Sequence, residues 1–212
     1  MEKHEAEYNL DLVKACGADG VASPPAIFLS SLEKHEGSQI LSRATGIENP
    51  RPLVFHPGTK GHVEAWPLES FLDLAVKLGD QGEKVVFTAG LGEEKIVHQV
   101  LKLSHKNVFA LPAGSLHLRQ LCSVISHARV FIGNSSGPLH IATAVGVPTI
   151  SFFPKAPLVT SSKRWGPFGN DSLNYVLSPQ RPEDALSTIL PDQVLEKFRR
   201  LNKGNRLAIP SS

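Results

Sequence analysis

The sequence predicts an α/β fold built on a parallel sheet with helices on both faces. Three observations carry it. From residue 52 onward, apolar runs of four or five residues alternate with amphipathic stretches of ten or more; that alternation is the mark of βαβ units. The short runs are apolar throughout, as strands buried on both faces must be. The turns that follow them are rich in Gly, Ser and Pro, as at 57–61, 89–92 and 133–138.

Each element follows from local chemistry. Residues 5–16 place Tyr8, Leu10, Leu12, Val13 and Cys16 at roughly helical spacing, closed by Gly17. A helix at the very start has nothing before it to pack on. Residues 17–30, with Ser23, Pro24 and Pro25, read as a linker running into the apolar Ala26, Ile27, Phe28 and Leu29. A boundary is set there: residues 1–30 are expected to be the end of a preceding domain and its linker helix, and residues 31–212 one Rossmann-like domain. Residues 32–44 form a weak, polar helix. Residues 53–56 are a strand, 68–78 a strong amphipathic helix, 84–88 a strand and 93–103 a helix opened by acids, which suits its N-terminal dipole. Residues 107–110 and 129–132 are strands around a helix at 116–127. A strand at 149–153 precedes a long loop, 155–170, with Lys155, Lys163, Arg164 and Trp165. Residues 173–177 read as a last strand, 182–190 and 192–201 as helices, and the tail from Asn202 as frayed.

Composition narrows function. Of 212 residues, 22 are Lys or Arg and 20 are Asp or Glu, giving a net charge of +2; nucleic-acid binding by bulk charge is not expected. The two cysteines, Cys16 and Cys122, form no CxxC pair and no disulfide framework, which suits a reducing compartment. The first residues are charged, unlike a signal peptide, and no apolar run approaches the roughly 20 residues that span a bilayer. A cytoplasmic protein, at most peripheral at a membrane, is expected. The nine histidines show no HxxxH pattern, so no metal is expected.

Three turns could carry chemistry. Gly133, Asn134, Ser135, Ser136, Gly137, Pro138, Leu139 and His140 run from strand through a small polar turn into a helix. Ser135 or Ser136 can cap that helix, and Pro138 falls in its first turn, where a missing N–H costs nothing. Unpaired N–H groups at a helix start bind phosphate, and the turn lies where open α/β sheets hold ligands. His140, four residues after Ser136, shares its helix face. The plainer reading is an ordinary βα connection with a packing histidine. The loop His56, Pro57, Gly58, Thr59, Lys60, Gly61, His62 offers donors but lacks Walker spacing; it could equally be solvated. Glu93 and Glu94, after Ala89, Gly90, Leu91 and Gly92, could hold ribose hydroxyls or merely complement the helix dipole. The basic residues of 155–170 could touch an acceptor, a phosphate or a membrane, or lie in solvent.

These motifs, in this order, resemble glycosyltransferase family 9, the heptosyltransferases: His56-Pro57-Gly58, Trp66-Pro67, Thr88-Ala89-Gly90 with Glu93 or Glu94, then Gly133 to Ala142, Gly146-Val147-Pro148 and Phe152-Phe153-Pro154. The resemblance spans about residues 50–170, and residues 5–17 resemble the helix that closes the family's N-terminal domain. It implies one half of a GT-B fold. The donor, ADP-heptose or a similar nucleotide-diphosphate sugar, would be held by Ser135, Ser136, Gly137, Pro138, Leu139 and His140, with Thr59 and Lys60 assisting and Glu93 or Glu94 at the ribose. It also implies inverting transfer to a lipopolysaccharide-core or similar glycolipid acceptor without a metal or other cofactor. The base lies in an N-terminal half with no counterpart here, so this chain is expected to be inactive alone; the alternative is a non-catalytic nucleotide-sugar-binding module acting with another chain. Two positions depart from the family. Ser135 stands where an Asp is frequent, and Glu64 stands where many members have a basic residue two positions before Trp-Pro. An acid facing a diphosphate is unfavourable by a few kcal/mol, so either Lys60 substitutes or the donor or its pose differs.

Overall fold

Leu53–His56 forms β1, the central strand of the domain, buried along its whole length. In the computed structural model, which describes residues 3–61, 63–169 and 171–206, it lies in a six-stranded sheet. The other strands are β2 (Val85–Phe87), β3 (Val108–Ala110), β4 (Val130–Asn134), β5 (Thr149–Phe152) and β6 (Asn174–Leu177). Their order is β3-β2-β1-β4-β5-β6, and every pair is parallel. The order reverses between β1 and β4, so the crevice for a ligand opens above their carboxyl ends.

Alternation along β1 sends Leu53 and Phe55 to one face and Val54 to the other. The first face is covered by α3 (Leu68–Asp80), α4 (Glu94–Lys102) and α8 (Pro191–Arg206), through residues such as Phe71, Ile96 and Phe198. The second carries α2 (Ser31–Thr45), α5 (Leu118–Ser126) and α6 (Gly137–Ala144), through Leu41, Val124 and Leu139. Helices on both faces of a parallel Rossmann-like sheet are what the sequence predicts.

Gly37 sets the α2–α5 crossing. A Cβ there would collide with the Ser123 side chain and lie 2.8 Å from its carbonyl carbon. Gly37→Ala is therefore expected to destabilise by about 1–3 kcal/mol despite alanine's better helix propensity; the shift of the denaturant midpoint measures it.

Several expectations are corrected. β4 runs two residues further than 132, so Asn134 ends a strand and does not sit in a loop. Residues 182–190 are not a helix: they hold turns and a 3-10 segment, Leu186–Thr188. Long-range bonds fix them in that form, since Glu64 Oε1 accepts the Leu186 N–H at 2.7 Å and Ile189 O accepts the Trp66 indole N–H at 2.8 Å. α8 begins at Pro191 and continues past Leu201 to Arg206; residues 207–212 of the expected frayed tail lie outside the described residues. The loop 155–170 contains a 3-10 turn, Leu158–Thr160, and a short helix, α7 (Ser162–Trp165).

The first helix, α1 (Glu5–Lys14), packs forward in the sequence. Glu5 pairs with Arg164 at 2.9 Å, and the His4 ring stacks on Phe168. Cys16, beyond the end of α1, is exposed; Cys122 is buried, and burial pushes its thiol pKa up. No helix among the described residues is long and apolar enough to cross a membrane.

Candidate functional site

The carboxyl ends of β1, β2 and β4 open into one cleft of about 560 Å³. Its floor is the β4–α6 turn, its rim the loop after β1, and its far wall the segments after β2 and β3. Of the residues singled out in the sequence, Thr59, Lys60, Glu93, Ser135, Ser136, Gly137 and Pro138 all line it, as does His56. Glu94, Leu139 and His140 do not. Glu94 is exposed and accepts the Gly92 N–H at 3.1 Å. Leu139 is fully buried, and its N–H bonds Ser136 O at 3.1 Å. His140 is half-buried one turn into α6, where burial, and then the neighbouring His4, lower its pKa. His62 lies outside the described residues.

Ser136 occupies the N-cap position of α6 in an extended conformation, but its hydroxyl makes no cap bond. It donates back to Asn134 O at 3.2 Å. The N–H groups of Ser135, Ser136 and Gly137 therefore have no protein acceptor among the described residues, and they sit at the positive end of the helix. Asn134, whose role is not apparent in the sequence, is completely buried just before them.

On the opposite rim, the Glu93 carboxylate ties two loops together. Oε2 accepts the Gly90 N–H at 2.7 Å and Oε1 the Lys60 N–H at 3.4 Å. Gly58 makes room for this, because a Cβ there would collide with that carboxylate. Glu64 is directed elsewhere. Its bond to Leu186 N–H takes it to the 3-10 segment, and it is not among the cleft-lining residues. Lys60 and Glu93 are the charged side chains of the lining among the described residues.

His56 lies at the base of the cleft, and its Nδ1 is 2.9 Å from Thr88 Oγ1. The Thr88 hydroxyl donates to Phe55 O at 3.3 Å, so the imidazole donates to Thr88. Burial lowers the His56 pKa to about 4, outweighing the Glu93 carboxylate and hydrogen bonding to the Thr88 backbone. The ring is neutral at physiological pH. In the unfolded chain it takes up a proton near pH 6.5. The stability held by the neutral ring is thus complete above pH 6.5 and lost as pH falls toward 4, by about 3 kcal/mol. Chemical denaturation of wild type and His56→Gln between pH 7 and 4 is expected to show a smaller acid loss in the variant.

The far wall is apolar, formed by Leu91, Leu111, Pro112, Leu116 and Leu121. Only their general apolar character was legible in the sequence, since they come from three separate segments. Among the described residues, no group of three His, Cys, Asp or Glu side chains could hold a metal ion. The arrangement brings an apolar wall, one carboxylate, one lysine and a turn of amide donors into a single cleft.

Comparison with known proteins matches this fold. The model of glycosyltransferase family 9 (heptosyltransferase) matches residues 6–187. A putative glycosyltransferase of Haemophilus influenzae is 28% identical over 185 residues, 84% of this chain and 53% of that protein. A solved family 9 glycosyl transferase from Veillonella parvula superposes with a TM-score of 0.78 at 21% identity, covering 95% of this chain and 60% of that one. The E. coli ADP-heptose lipopolysaccharide heptosyltransferase II gives 0.74 at 22% identity, over 91% of this chain and 57% of that one. The chain spans about half the length of the curated relatives it matches.

Proposed function

Because the chain belongs to glycosyltransferase family 9, the heptosyltransferases, we propose that the cleft is the donor site of such an enzyme and takes a nucleotide-diphosphate sugar of the ADP-heptose kind. The observation that carries this reading is the row of N–H groups at Ser135, Ser136 and Gly137 that have no protein acceptor among the described residues, in a cleft that Lys60 also lines. Amides at a helix start, with one cation opposite, suit a diphosphate. The apolar wall around Leu111 and Leu116 suits the base, and the Glu93 carboxylate in the same lining suits the ribose.

In the whole enzyme an acceptor hydroxyl attacks the anomeric carbon from the face opposite the diphosphate, inverting that centre. A base removes the hydroxyl proton, and the departing diphosphate takes the negative charge into the amide cradle. This chain supplies the cradle. The base and the site for a lipopolysaccharide-core or similar glycan acceptor belong to the other half of the enzyme. Residues 1–30 are then the end of that half and its connection, and residues 31–212 the donor domain. The work place is the cytoplasmic face of the inner membrane, touched peripherally.

Calorimetric titration of ADP, UDP and GDP tests the reading. Saturable binding of one equivalent of ADP, tighter than UDP or GDP and without sugar transfer by this chain alone, is the expected result. Absence of binding by all three would overturn it, and measurable transfer would overturn the placement of the base.

A further inference from the structure

Asn134 ends β4 with none of its surface exposed. Its Oδ1 accepts the Trp66 N–H at 2.8 Å. Its Nδ2 donates to Pro57 O at 2.8 Å and to Trp66 O at 3.3 Å. Pro57 and Trp66 are the two ends of the loop that carries Thr59 and Lys60. The backbone of Asn134 leads directly into the Ser135–Gly137 amides, and its carbonyl accepts the Ser136 hydroxyl. One side chain thus closes the β1–α3 loop and fixes it to the start of the β4–α6 turn.

We propose that Asn134 is a positioning residue that clips these two loops into one rigid cradle, so that Lys60 and the Ser135–Gly137 amides face the same diphosphate. The inference rests on the nucleotide reading of the cleft. The chemistry selects an amide. The site needs one acceptor and one donor side by side in a plane, which asparagine supplies. A carboxylate of the same shape offers two acceptors and meets two backbone carbonyls, a buried repulsion. A leucine offers neither group. Trp66 anchors the far end of the clip, because its ring stacks on Phe152 with centroids 4.3 Å apart and its indole N–H bonds Ile189 O. With the loop end held there, the residue that fixes Trp66 also fixes where Lys60 stands.

Asn134→Asp tests the clip, because protonation turns the new carboxyl back into one donor and one acceptor. Burial raises a carboxyl pKa, which brings that protonation within reach of mild acid. Among the described residues, the titratable groups on the segments around the position are His56 at the end of β1, Lys60 and Glu64 in the β1–α3 loop, His140 in α6 and Lys155 beyond β5, of which Glu64 bonds the Leu186 N–H and Lys155 the Gln180 carbonyl. Their titration, and that of ADP itself, cancels when variant and wild type are compared at the same pH. ADP affinity measured by calorimetry is expected to be at least tenfold weaker in the variant at pH 8.5 and within threefold of wild type at pH 5.5. Equal affinities at both pH values, or an equal loss at both, would overturn the clip.

If the variant does not fold at pH 8.5, hydrogen exchange on the wild-type chain decides. ADP is expected to slow exchange of the Trp66 amide at least fivefold, although that amide is bonded to Asn134 and lies outside the cleft lining. Unchanged Trp66 exchange with ADP bound would overturn the proposal. Failure of the wild type to bind ADP at all would instead overturn the nucleotide reading on which it rests.

Discussion

Replacing Trp66 with alanine is expected to destabilise the protein by about 3–5 kcal/mol and lower the thermal midpoint by about 10 °C. Trp66 is 1% exposed. Its ring stacks on Phe152 and meets Phe71 edge-on at 4.7 Å, and both contacts disappear together. The truncation opens a cavity between the sheet and α3 that rigid neighbours fill poorly. It also strands the Ile189 carbonyl, which then lacks its indole donor inside the core. Differential scanning calorimetry measures the effect. Trp66→Phe keeps the aromatic contacts but not the N–H, so it is expected to fall between wild type and alanine. A loss below about 1 kcal/mol for Trp66→Ala would mean that the 182–190 segment closes over the gap, and that the Trp66–Ile189 bond does not hold it.

Ser136→Asp is expected to weaken ADP binding close to a thousandfold while leaving the fold intact or slightly more stable. Position 136 is the N-cap of α6, extended and without a side-chain cap bond, and aspartate is among the best N-caps. The same carboxylate lies among the amides that would receive the diphosphate. Two like charges about 4 Å apart at the edge of a protein repel by about 4 kcal/mol, which is close to three decades in affinity. Stability and binding therefore move in opposite directions, which general damage to the protein cannot imitate. Calorimetry for binding and thermal unfolding for stability separate the two. Undiminished affinity in the variant would show that the anion sits elsewhere in the cleft.

The parts of the fold that local chemistry decides were legible in the sequence. The strands announce themselves as short apolar runs because both their faces are covered, and helices such as 68–78 carry an apolar stripe that needs no partner to be recognised. The segment at 182–190 carries a comparable pattern and is not a helix, because Glu64 and Trp66, more than 115 residues earlier, take hold of its backbone. No local pattern can show such a bond.

The site divides in the same way. The Ser135–Gly137 turn and Lys60 are recognisable from residue type and position after a strand. The direction of Glu64 is not, since its partner is the backbone of Leu186. Asn134 left one trace, a polar amide at the end of the apolar Val130–Phe131–Ile132 run, just before the small polar turn. Its meaning depends on Pro57 and Trp66 arriving beside it. The apolar wall was out of reach for a similar reason, being assembled from the ends of two strands and the start of α5.

The central claim is that the β4–α6 turn holds the diphosphate of a nucleotide on its backbone amides. Amide chemical-shift mapping of the isotope-labelled chain during titration with ADP reads those groups directly. The Ser135, Ser136 and Gly137 amides are expected to show the largest shifts, with Thr59 and Lys60 following and with all five saturating at one equivalent. Shifts confined to the Leu111–Leu116 wall, or an unperturbed Ser135–Gly137 turn at saturation, would contradict it.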